Sequence, residues 1–292
     1  MDVTTASRVR PRDALTHDLY PIVRPAQNWE NGCAVMKFGG TSLADATCIR
    51  RAAARVADAV RAGRRVAVVV SAMGTTTDRL SELAATVARH RPARELDFLL
   101  STGECVSAAL MAMALHDLGC PATALTGGQA GIVTDDSFGV ARVRRLHPDR
   151  LVDLLTAGTV AVVTGFQGVT ESQEITTLGR GGSDASAVLL AAMLGAPVCD
   201  IFTDVDGVHT ADPRQVPDAD LIPSLSYPQM QAMARAGAQV VQERAVEIAA
   251  ATGVLLHVRS SFHSNPGTLV GPPDPPHRPA VALPDDETAG AA

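Results

Sequence analysis

A glycine-rich stretch at residues 176–187 carries the residue types of an anion-binding site. It reads Thr-Thr-Leu-Gly-Arg-Gly-Gly-Ser-Asp-Ala-Ser-Ala, and its glycines permit a tight turn before an Ala- and Leu-rich run that favours a helix. Ser183 and Asp184 are residue types that cap helix N-termini, where free amide N–H groups can hold a phosphate or a carboxylate. Arg180 adds a guanidinium suited to a carboxylate. An ordinary Gly-rich connector with a capping Asp is an equally open interpretation at this point.

Lys37 is the single lysine among 25 basic residues. Because arginine occupies every other basic position, we expect position 37 to need a compact ammonium rather than a planar guanidinium. The residue lies in Ala34–Phe38, a short predicted strand, directly before the turn Gly39-Gly40-Thr41-Ser42. A phosphate-binding lysine would occupy such a place, although the spacing matches neither GxxxxGK[ST] nor GxGxxG. The alternative is a surface lysine retained by chance.

Two further segments carry candidate ligand-binding residues. The apolar run Val66–Val70 is typical of a central parallel strand and leads into a hydroxyl-rich loop, residues 71–78, with Ser71 and Thr77. Open α/β sheets bind ligands at such strand ends, although a capped turn explains the threonines equally well. Glu104 lies in a predicted helix at about residues 94–118, where a single Glu is more often solvated than a ligand.

Residues 198–214 combine a predicted strand with acidic residues. Thr203 and Asp204 stand at the end of this strand, and Arg214 is placed to reach a phosphate. The acids also suggest a calcium loop of the EF-hand type, but the twelfth position lacks the required Glu and no second helix follows at once. A nucleotide site is therefore the preferred interpretation.

Predicted strands and helices alternate along the chain, which indicates an α/β fold: a three-layer αβα sandwich with a mostly parallel central sheet. Further helices are expected after the glycine-rich stretch and at about residues 43–60, 227–236 and 238–251. The polar residues 1–32 are predicted to form a flexible or loosely docked arm, residues 33–270 the folded domain, and residues 271–292 a Pro-rich disordered tail.

Composition limits the classes of function. The net charge of −6, with dispersed basic residues, argues against nonspecific nucleic-acid binding. We find no apolar run of about 20 residues, and residues 1–12 lack the apolar core of a signal peptide, so a cytoplasmic protein without a membrane span is expected. The five cysteines are odd in number and lack CxxC spacing, which argues against a disulfide framework and a zinc site.

Six motifs, in order, resemble the catalytic domain of aspartokinase, within the amino acid kinase superfamily. They span about residues 33–270 and comprise Lys37–Ser42, Val70–Gly74, Ser101–Glu104, Thr177–Asp184, Thr203–Gly207 and Arg259–Val270. The resemblance implies an enzyme that uses ATP and Mg²⁺ to phosphorylate the side-chain carboxylate of L-aspartate, giving 4-phospho-L-aspartate. It assigns no side chain as a metal ligand. No general base is needed, because the attacking carboxylate is ionised at neutral pH.

The resemblance also implies roles for individual residues. Lys37 would neutralise charge on the transferring phosphoryl group, helped by glycine amides, and Asp184 would organise Lys37. Glu104 would pair with the acceptor ammonium and Arg180 with a carboxylate, and the implied acceptor-binding set is Ser71, Thr77, Glu104, Arg180 and Ser183. The implied nucleotide-binding set is Gly39, Gly40, Ser42, Gly182, Thr203, Asp204, Asp212 and Arg214.

One departure from the family pattern leaves alternatives open. Family members usually carry Gly-Ala-Lys where this chain has Gly237-Ala238-Gln239, so a positive charge implied to contact a nucleotide phosphate is missing. Glu243 adds a negative charge nearby. This predicts weaker ATP binding or turnover. It leaves open a related kinase for another amino acid or carboxylate, and a non-catalytic homologue that binds a nucleotide or an amino acid.

A second departure is length. The ACT regulatory domains that usually follow the catalytic domain are expected to be absent from this chain, so regulation is expected to be lacking or supplied by a separate chain. The resemblance also implies a homodimer whose small-molecule partners are ATP and an amino acid, with neither nucleic acid nor membrane as a partner.

Overall fold

The computed structural model describes residue 29 and residues 32–213, 215–216, 218–238 and 240–273. The described residues form seven α-helices: α1 (Ala46–Arg61), α2 (Thr76–Val87), α3 (Ala93–Asp117), α4 (Asp149–Thr156), α5 (Gly182–Leu194), α6 (Tyr227–Arg235) and α7 (Glu243–Thr252). They form twelve strands: β1 (Cys33–Phe38), β2 (Arg65–Val70), β3 (Ala122–Leu125), β4 (Ile132–Thr134), β5 (Val143–Leu146), β6 (Val160–Thr164), β7 (Gln167–Val169), β8 (Ile175–Thr177), β9 (Val198–Thr203), β10 (Ser224–Ser226), β11 (Leu255–Ser260) and β12 (Thr268–Gly271).

The central sheet has eight strands in the order β10-β12-β11-β9-β1-β2-β6-β3. All neighbours are parallel except β11 and β12, which are antiparallel. Strand β1 lies in the middle, between β2 and β9, and is buried along its whole length. The predicted mostly parallel sheet is confirmed.

Alternate residues of the central strands face different helix layers. Val35 on β1 packs in a core with apolar residues of α4, α5 and α7, whereas Ala34 and Met36 pack in a second core with residues of α1 and α3. Because both faces of the sheet are covered, its strands read as continuous apolar runs rather than as alternating patterns. The predicted three-layer α/β sandwich is therefore confirmed.

A second sheet, in the order β5-β4-β7-β8, flanks the glycine-rich stretch. Strand β8 ends at Thr177, directly before that stretch turns into α5. The sequence patterns do not predict β5, β7 and β8, because strands of three or four residues are too short to show a period.

Two predicted boundaries are wrong. Helix α2 begins at Thr76, so Thr77 lies in its first turn and not in a loop. Helix α7 begins at Glu243 rather than near residue 238. Gly237 has a φ of 104°, which a right-handed helix cannot accommodate, and Gln242 is extended as the residue before α7.

Helix α3 has the length and composition of a membrane span, since an 18-residue window within it has a mean hydropathy of 1.6. This corrects the expectation that no such run exists. One such helix is weak evidence for a span, because core helices of soluble proteins pass the same test and 44% of the window is buried. The buried face also carries Asp97 and Glu104, whose carboxylates accept hydrogen bonds from other segments.

The predicted arm and tail lie almost entirely outside the described residues. Trp29 is described, and its Nε1 donates a hydrogen bond to the carbonyl oxygen of Leu194 at 2.8 Å. Its ring packs against the core that contains α5. The domain boundaries at residues 32 and 270 stay predictions.

Candidate active site

The carboxyl ends of neighbouring parallel strands bring the predicted residues to one edge of the sheet. Lys37 is the penultimate residue of β1 and stands beside Val69 of β2 and Ile201 of β9. Ser71 follows β2, and Thr203 ends β9. Because ligand sites of open parallel sheets lie beyond these strand ends, the topology explains why dispersed motifs meet there.

Lys37 and Asp184 form a buried ion pair. The Lys37 Nζ lies 2.6 Å from Asp184 Oδ1, and their side chains are 11% and 8% exposed. Asp184 belongs to the first turn of α5, which packs on β1. A buried ammonium needs an anionic partner, so the only lysine of the chain is fixed by a carboxylate 147 positions away.

The predicted capping role of Ser183 and Asp184 is wrong. The N-cap of α5 is Gly181, whose φ of 70° is left-handed and which makes no side-chain cap. Ser183 instead packs on Gly165, where an added Cβ would come within 2.8 Å of the Ser183 hydroxyl. The carboxylate of Asp184 is directed to Lys37 because a left-handed glycine lets the chain enter the helix without a side-chain cap.

Two glycine turns interlock beside Lys37. The Gly74 amide donates to the Gly40 carbonyl oxygen at 2.9 Å, and an added Cβ at Gly40 would lie 2.9 Å from the Ala72 carbonyl oxygen. Residue 40 must therefore be glycine for this backbone approach. The Ser42 hydroxyl donates to the Phe202 carbonyl oxygen at 3.4 Å and accepts from Ser261.

Two of the three glycine amides implied to contact phosphate already have acceptors. The Gly39 amide donates to the Phe202 carbonyl oxygen at 3.1 Å, and the Gly182 amide donates to the Gly179 carbonyl oxygen at 3.0 Å. A phosphate held by either amide would have to share the hydrogen or shift the turn. The sequence does not show that these amides are already hydrogen-bonded, because both acceptors are backbone carbonyl oxygens that only the folded chain brings close.

Glu104 is buried, which contradicts the solvated position that the sequence alone favoured. Only 3% of the residue is exposed, on the inner face of α3. Its Oε1 accepts a hydrogen bond from the Ala72 amide at 3.0 Å, whereas Oε2 is buried without a hydrogen-bond partner among the described residues. Burial raises the pKa of this carboxyl to about 7. A buried carboxylate oxygen without a donor is a ready acceptor for a ligand ammonium.

Arg180 is exposed and lines a cavity of about 380 Å³ together with Arg142, Gln242 and Arg244. None of the other predicted acceptor-binding residues lines this cavity. Ser71, directly after β2, and Thr77, in the first turn of α2, are half-buried. The described conformation therefore does not bring Arg180 together with Glu104.

A second cavity, of about 590 Å³, contains the described nucleotide candidates that follow β9. Thr203, Asp204 and Asp212 line it, together with the α6–α7 linker residues Ala236–Ala238 and Val240. Arg214 and Gln239 lie outside the described residues. Ala238 and Val240, the sequence neighbours of the position where the family lysine is missing, line the cavity. Gly39, Gly40, Ser42 and Gly182 are not among the lining residues of this cavity.

Asp97 is a structural member of the site that the sequence analysis missed. It is buried, and its Oδ2 accepts from the amides of Thr177 at 2.7 Å and Gly139 at 2.9 Å, while Oδ1 accepts from the Thr177 hydroxyl. It holds β8 where the glycine-rich stretch begins. Asp97 and Glu104 are seven residues apart, so they lie on one face of α3, and this spacing was an available signal.

Known proteins similar to this chain include amino acid kinases. The chain matches the amino acid kinase family over residues 32–260. It belongs to that family. Within it, the chain is 51% identical to the aspartokinase of Mycolicibacterium smegmatis over 237 residues, which is 81% of this chain and 56% of the relative. The aspartokinase of Thermus thermophilus is 51% identical over 236 residues, 81% of this chain and 58% of the relative. The chain thus spans little more than half the length of these curated relatives.

Solved structures of other kinases have the same fold. An aspartate kinase from Synechocystis superposes with a TM-score of 0.74 at 46% identity, covering 82% of this chain and 40% of the other. Escherichia coli aspartokinase III in complex with aspartate and ADP also gives 0.74, at 28% identity, covering 82% and 64%. A UMP kinase from Bacillus anthracis, at 18% identity and a TM-score of 0.60, shares the fold alone.

Proposed function

We propose that this amino acid kinase transfers the γ-phosphoryl group of ATP to the side-chain carboxylate of L-aspartate. The observation that carries the proposal is the 51% identity to curated aspartokinases across 81% of the chain. The geometry supports it through a buried Lys37–Asp184 pair beside a glycine turn, a buried acceptor oxygen on Glu104, and a cavity at the end of β9.

The proposed chemistry needs charge neutralisation rather than a base. The acceptor carboxylate is ionised at neutral pH and attacks the γ-phosphorus, while the bond to the β-phosphate oxygen breaks and ADP leaves. The Lys37 ammonium would bind the phosphoryl oxygens as negative charge develops, and Asp184, whose Oδ1 lies 2.6 Å from Lys37 Nζ, would hold that ammonium in place. Mg²⁺ bound to the triphosphate would neutralise further charge. No group of three His, Cys, Asp or Glu side chains suited to a metal ion occurs within the described ranges.

The acceptor side is proposed to lie between α3 and the glycine-rich stretch. The free Oε2 of Glu104 would bind the aspartate ammonium, with Ser71, Thr77 and Ser183 supplying hydroxyl groups. Arg180 would bind a carboxylate after its side chain turns from the outer cavity. Arg180 is exposed and has no hydrogen-bond or ion-pair partner among the described residues, so it can make this turn at low cost, and a bound carboxylate gives it a charge-assisted hydrogen bond.

The nucleotide side is proposed to be the cavity at the end of β9. A volume of about 590 Å³ lies within the range of small-molecule sites. Thr203, Asp204 and Asp212 would contact the nucleotide there, with Arg214, and the turn Gly39–Ser42 and Gly182 would face its phosphates. Gln239 stands where family members usually carry a lysine, and its sequence neighbours Ala238 and Val240 line this cavity. Because of that replacement, we expect this chain to have a higher KM for ATP than relatives that carry the lysine.

A hydroxylamine trap tests the proposed reaction. Protein incubated with MgATP, hydroxylamine and L-aspartate should form aspartyl hydroxamate, because the nucleophile captures the acyl phosphate. Omission of either ATP or aspartate should abolish the signal. Nucleotide binding measured by calorimetry together with an absent hydroxamate signal would contradict the proposal. A signal with another amino acid would then indicate a different acceptor, and silence with all acceptors would indicate a binding homologue.

We infer that the enzyme works in the cytoplasm. We also infer that two copies of the chain pair through the outer face of α2 and α3. The face exposes large apolar side chains, namely Leu83, Val87, Phe98, Val106, Leu110 and Met113. We propose these exposed apolar side chains of α2 and α3 as the association surface. Sedimentation equilibrium should give twice the mass of the chain, and Met113→Glu combined with Val106→Arg should give the mass of one chain. A monomeric parent protein at micromolar concentration would contradict pairing.

A further inference from the structure

Arg244, which the proposed reaction does not use, joins two distant backbone segments. It lies in the first turn of α7 and is half-buried. Its Nη1 donates to the carbonyl oxygen of Leu178 at 2.7 Å, and its Nη2 donates to the carbonyl oxygen of Ala141 at 3.1 Å. Two carbonyl groups are thus bound by one planar guanidinium, an arrangement that the single ammonium of lysine cannot reproduce.

These carbonyl groups lie at the entrance to the glycine-rich loop, Gly179–Gly182. The Ala141 amide donates to the Thr177 carbonyl oxygen at 2.9 Å, and the Leu178 amide donates to the Phe166 carbonyl oxygen at 2.8 Å. With the Asp97 carboxylate on the Thr177 amide and Arg244 on the Leu178 carbonyl, every backbone polar group of residues 177 and 178 has a partner. Arg244 supplies the last of these bonds before the chain enters the loop.

The residue before α7 packs directly on the same loop. Gly181 is left-handed with a φ of 70°, and a Cβ at this position would overlap the side chain of Gln242. The N-terminus of α7 therefore touches the loop twice, through Gln242 at Gly181 and through Arg244 at Leu178. The loop and the start of this helix are therefore in direct contact.

The same segment lines the nucleotide cavity at its other end. Residues 236–238 and Val240 form part of the cavity wall, and Val240 precedes Arg244 by only four positions. The described residues 236–238 and 240–242 lie between α6 and α7. One short segment therefore contacts the proposed nucleotide side at its beginning and the Arg180 loop at its end.

We propose that Arg244 is a positioning residue that fixes the loop carrying Arg180 and makes acceptor binding depend on nucleotide occupancy. The inference rests on the proposed function, in which this loop binds the acceptor. Arg244 itself acts through the Leu178 and Ala141 carbonyl groups, and its loss leaves these carbonyls without their donor. The loop then samples positions in which Arg180 is misplaced, so the KM for the acceptor should rise while kcat changes little.

The substitutions Arg244→Gln and Arg244→Lys test this role. Arg244→Gln should raise the KM for aspartate about tenfold and change kcat by less than about threefold, since two hydrogen bonds from a charged group are lost outside the reacting atoms. The KM of Arg244→Lys for aspartate should lie between those of the parent protein and Arg244→Gln, because an ammonium can keep one of the two hydrogen bonds. The matched control is Arg235→Gln, since Arg235 pairs with Glu243 at the start of α7 and does not reach the loop.

Two further readouts separate positioning from general stability. Hydrogen exchange of the ligand-free proteins should show faster exchange in a peptide covering residues 178–184 for Arg244→Gln, and unchanged exchange there for Arg235→Gln. The ratio of aspartate dissociation constants with and without a non-hydrolysable ATP analogue should approach one in Arg244→Gln, because linkage between the two sites is lost.

Three outcomes are decisive. An unchanged KM and unchanged exchange at residues 178–184 in Arg244→Gln would overturn the proposal. Faster exchange throughout the protein, with a lower melting temperature and the same KM, would also overturn it, since the arginine would then be merely structural. If the parent protein forms no hydroxamate with any acceptor but the loop still exchanges faster in the variant, the positioning role stands and the proposed function fails.

Discussion

Replacement of Lys37 by methionine is expected to lower the kcat for aspartyl hydroxamate formation by at least about 10²- to 10³-fold. In the proposed reaction the Lys37 ammonium neutralises charge on the transferring phosphoryl group, and Asp184 Oδ1 lies 2.6 Å from its Nζ. Lys37→Arg should lose nearly as much activity, because a planar guanidinium does not fit the buried position of a compact ammonium. Hydroxamate assays at saturating ATP and aspartate measure the effect.

A control is needed because the same change leaves a buried carboxylate without its partner. Breaking a buried ion pair costs about 3 kcal/mol or more of unfolding free energy, so Lys37→Met should lower the denaturation midpoint. The double variant Lys37→Met with Asp184→Asn removes both charges and should recover much of that stability without recovering activity. Activity of folded Lys37→Met within threefold of the parent protein would contradict the assignment of Lys37.

Replacement of Glu104 by glutamine is expected to raise the KM for aspartate by about tenfold to a hundredfold. The carboxylate oxygen Oε2 has no hydrogen-bond partner among the described residues, and glutamine presents no negative charge to the substrate ammonium. The exposed Glu95 on the same helix provides the matched control, since Glu95→Gln should leave the KM unchanged. Equal KM values for the parent and Glu104→Gln proteins would remove Glu104 from the acceptor site.

The pH dependence of acceptor binding follows from the same carboxyl group. Burial raises the pKa of Glu104 to about 7, and only the ionised form pairs with an ammonium. The KM for aspartate should therefore fall as the pH rises from 6 to 8 in the parent protein. Glu104→Gln should lose this dependence. A parent KM that is flat across this range would show that ionisation of Glu104 does not control acceptor binding.

The stability of the ligand-free protein should decrease as the pH rises, whereas acceptor binding should strengthen. Between the ordinary pKa of 4.5 and the raised pKa of about 7, the folded state holds a proton on Glu104 that the unfolded state has lost. The unfolding free energy should therefore decrease as the pH rises through this window, by about 3 kcal/mol for this one group. Urea unfolding at pH 5 and pH 8 should show a smaller decrease for Glu104→Gln than for the parent protein.

The sequence by itself predicted the architecture and placed several candidate site residues, among them Lys37 and Thr203, at the carboxyl edge of the sheet. Uninterrupted apolar runs such as Val66–Val70 predict buried parallel strands, because only strands covered on both faces can be apolar throughout. A single lysine before a glycine turn identified Lys37, and a glycine-rich stretch before an apolar run identified the start of α5. These signals are local, since strand and helix periods, turns and caps arise within a few residues.

The tertiary structure decided which of these residues meet and which are buried. Lys37 pairs with Asp184 because α5 packs on β1, and Glu104 is buried because α3 places it beneath the Ala72 amide. The helix start at Gly181 makes a side-chain cap unnecessary and frees Asp184 for Lys37. Arg244 and Asp97 bind backbone groups of Leu178 and Thr177, segments more than 60 positions away. Contacts between distant segments depend on where whole elements pack, and no local period encodes them.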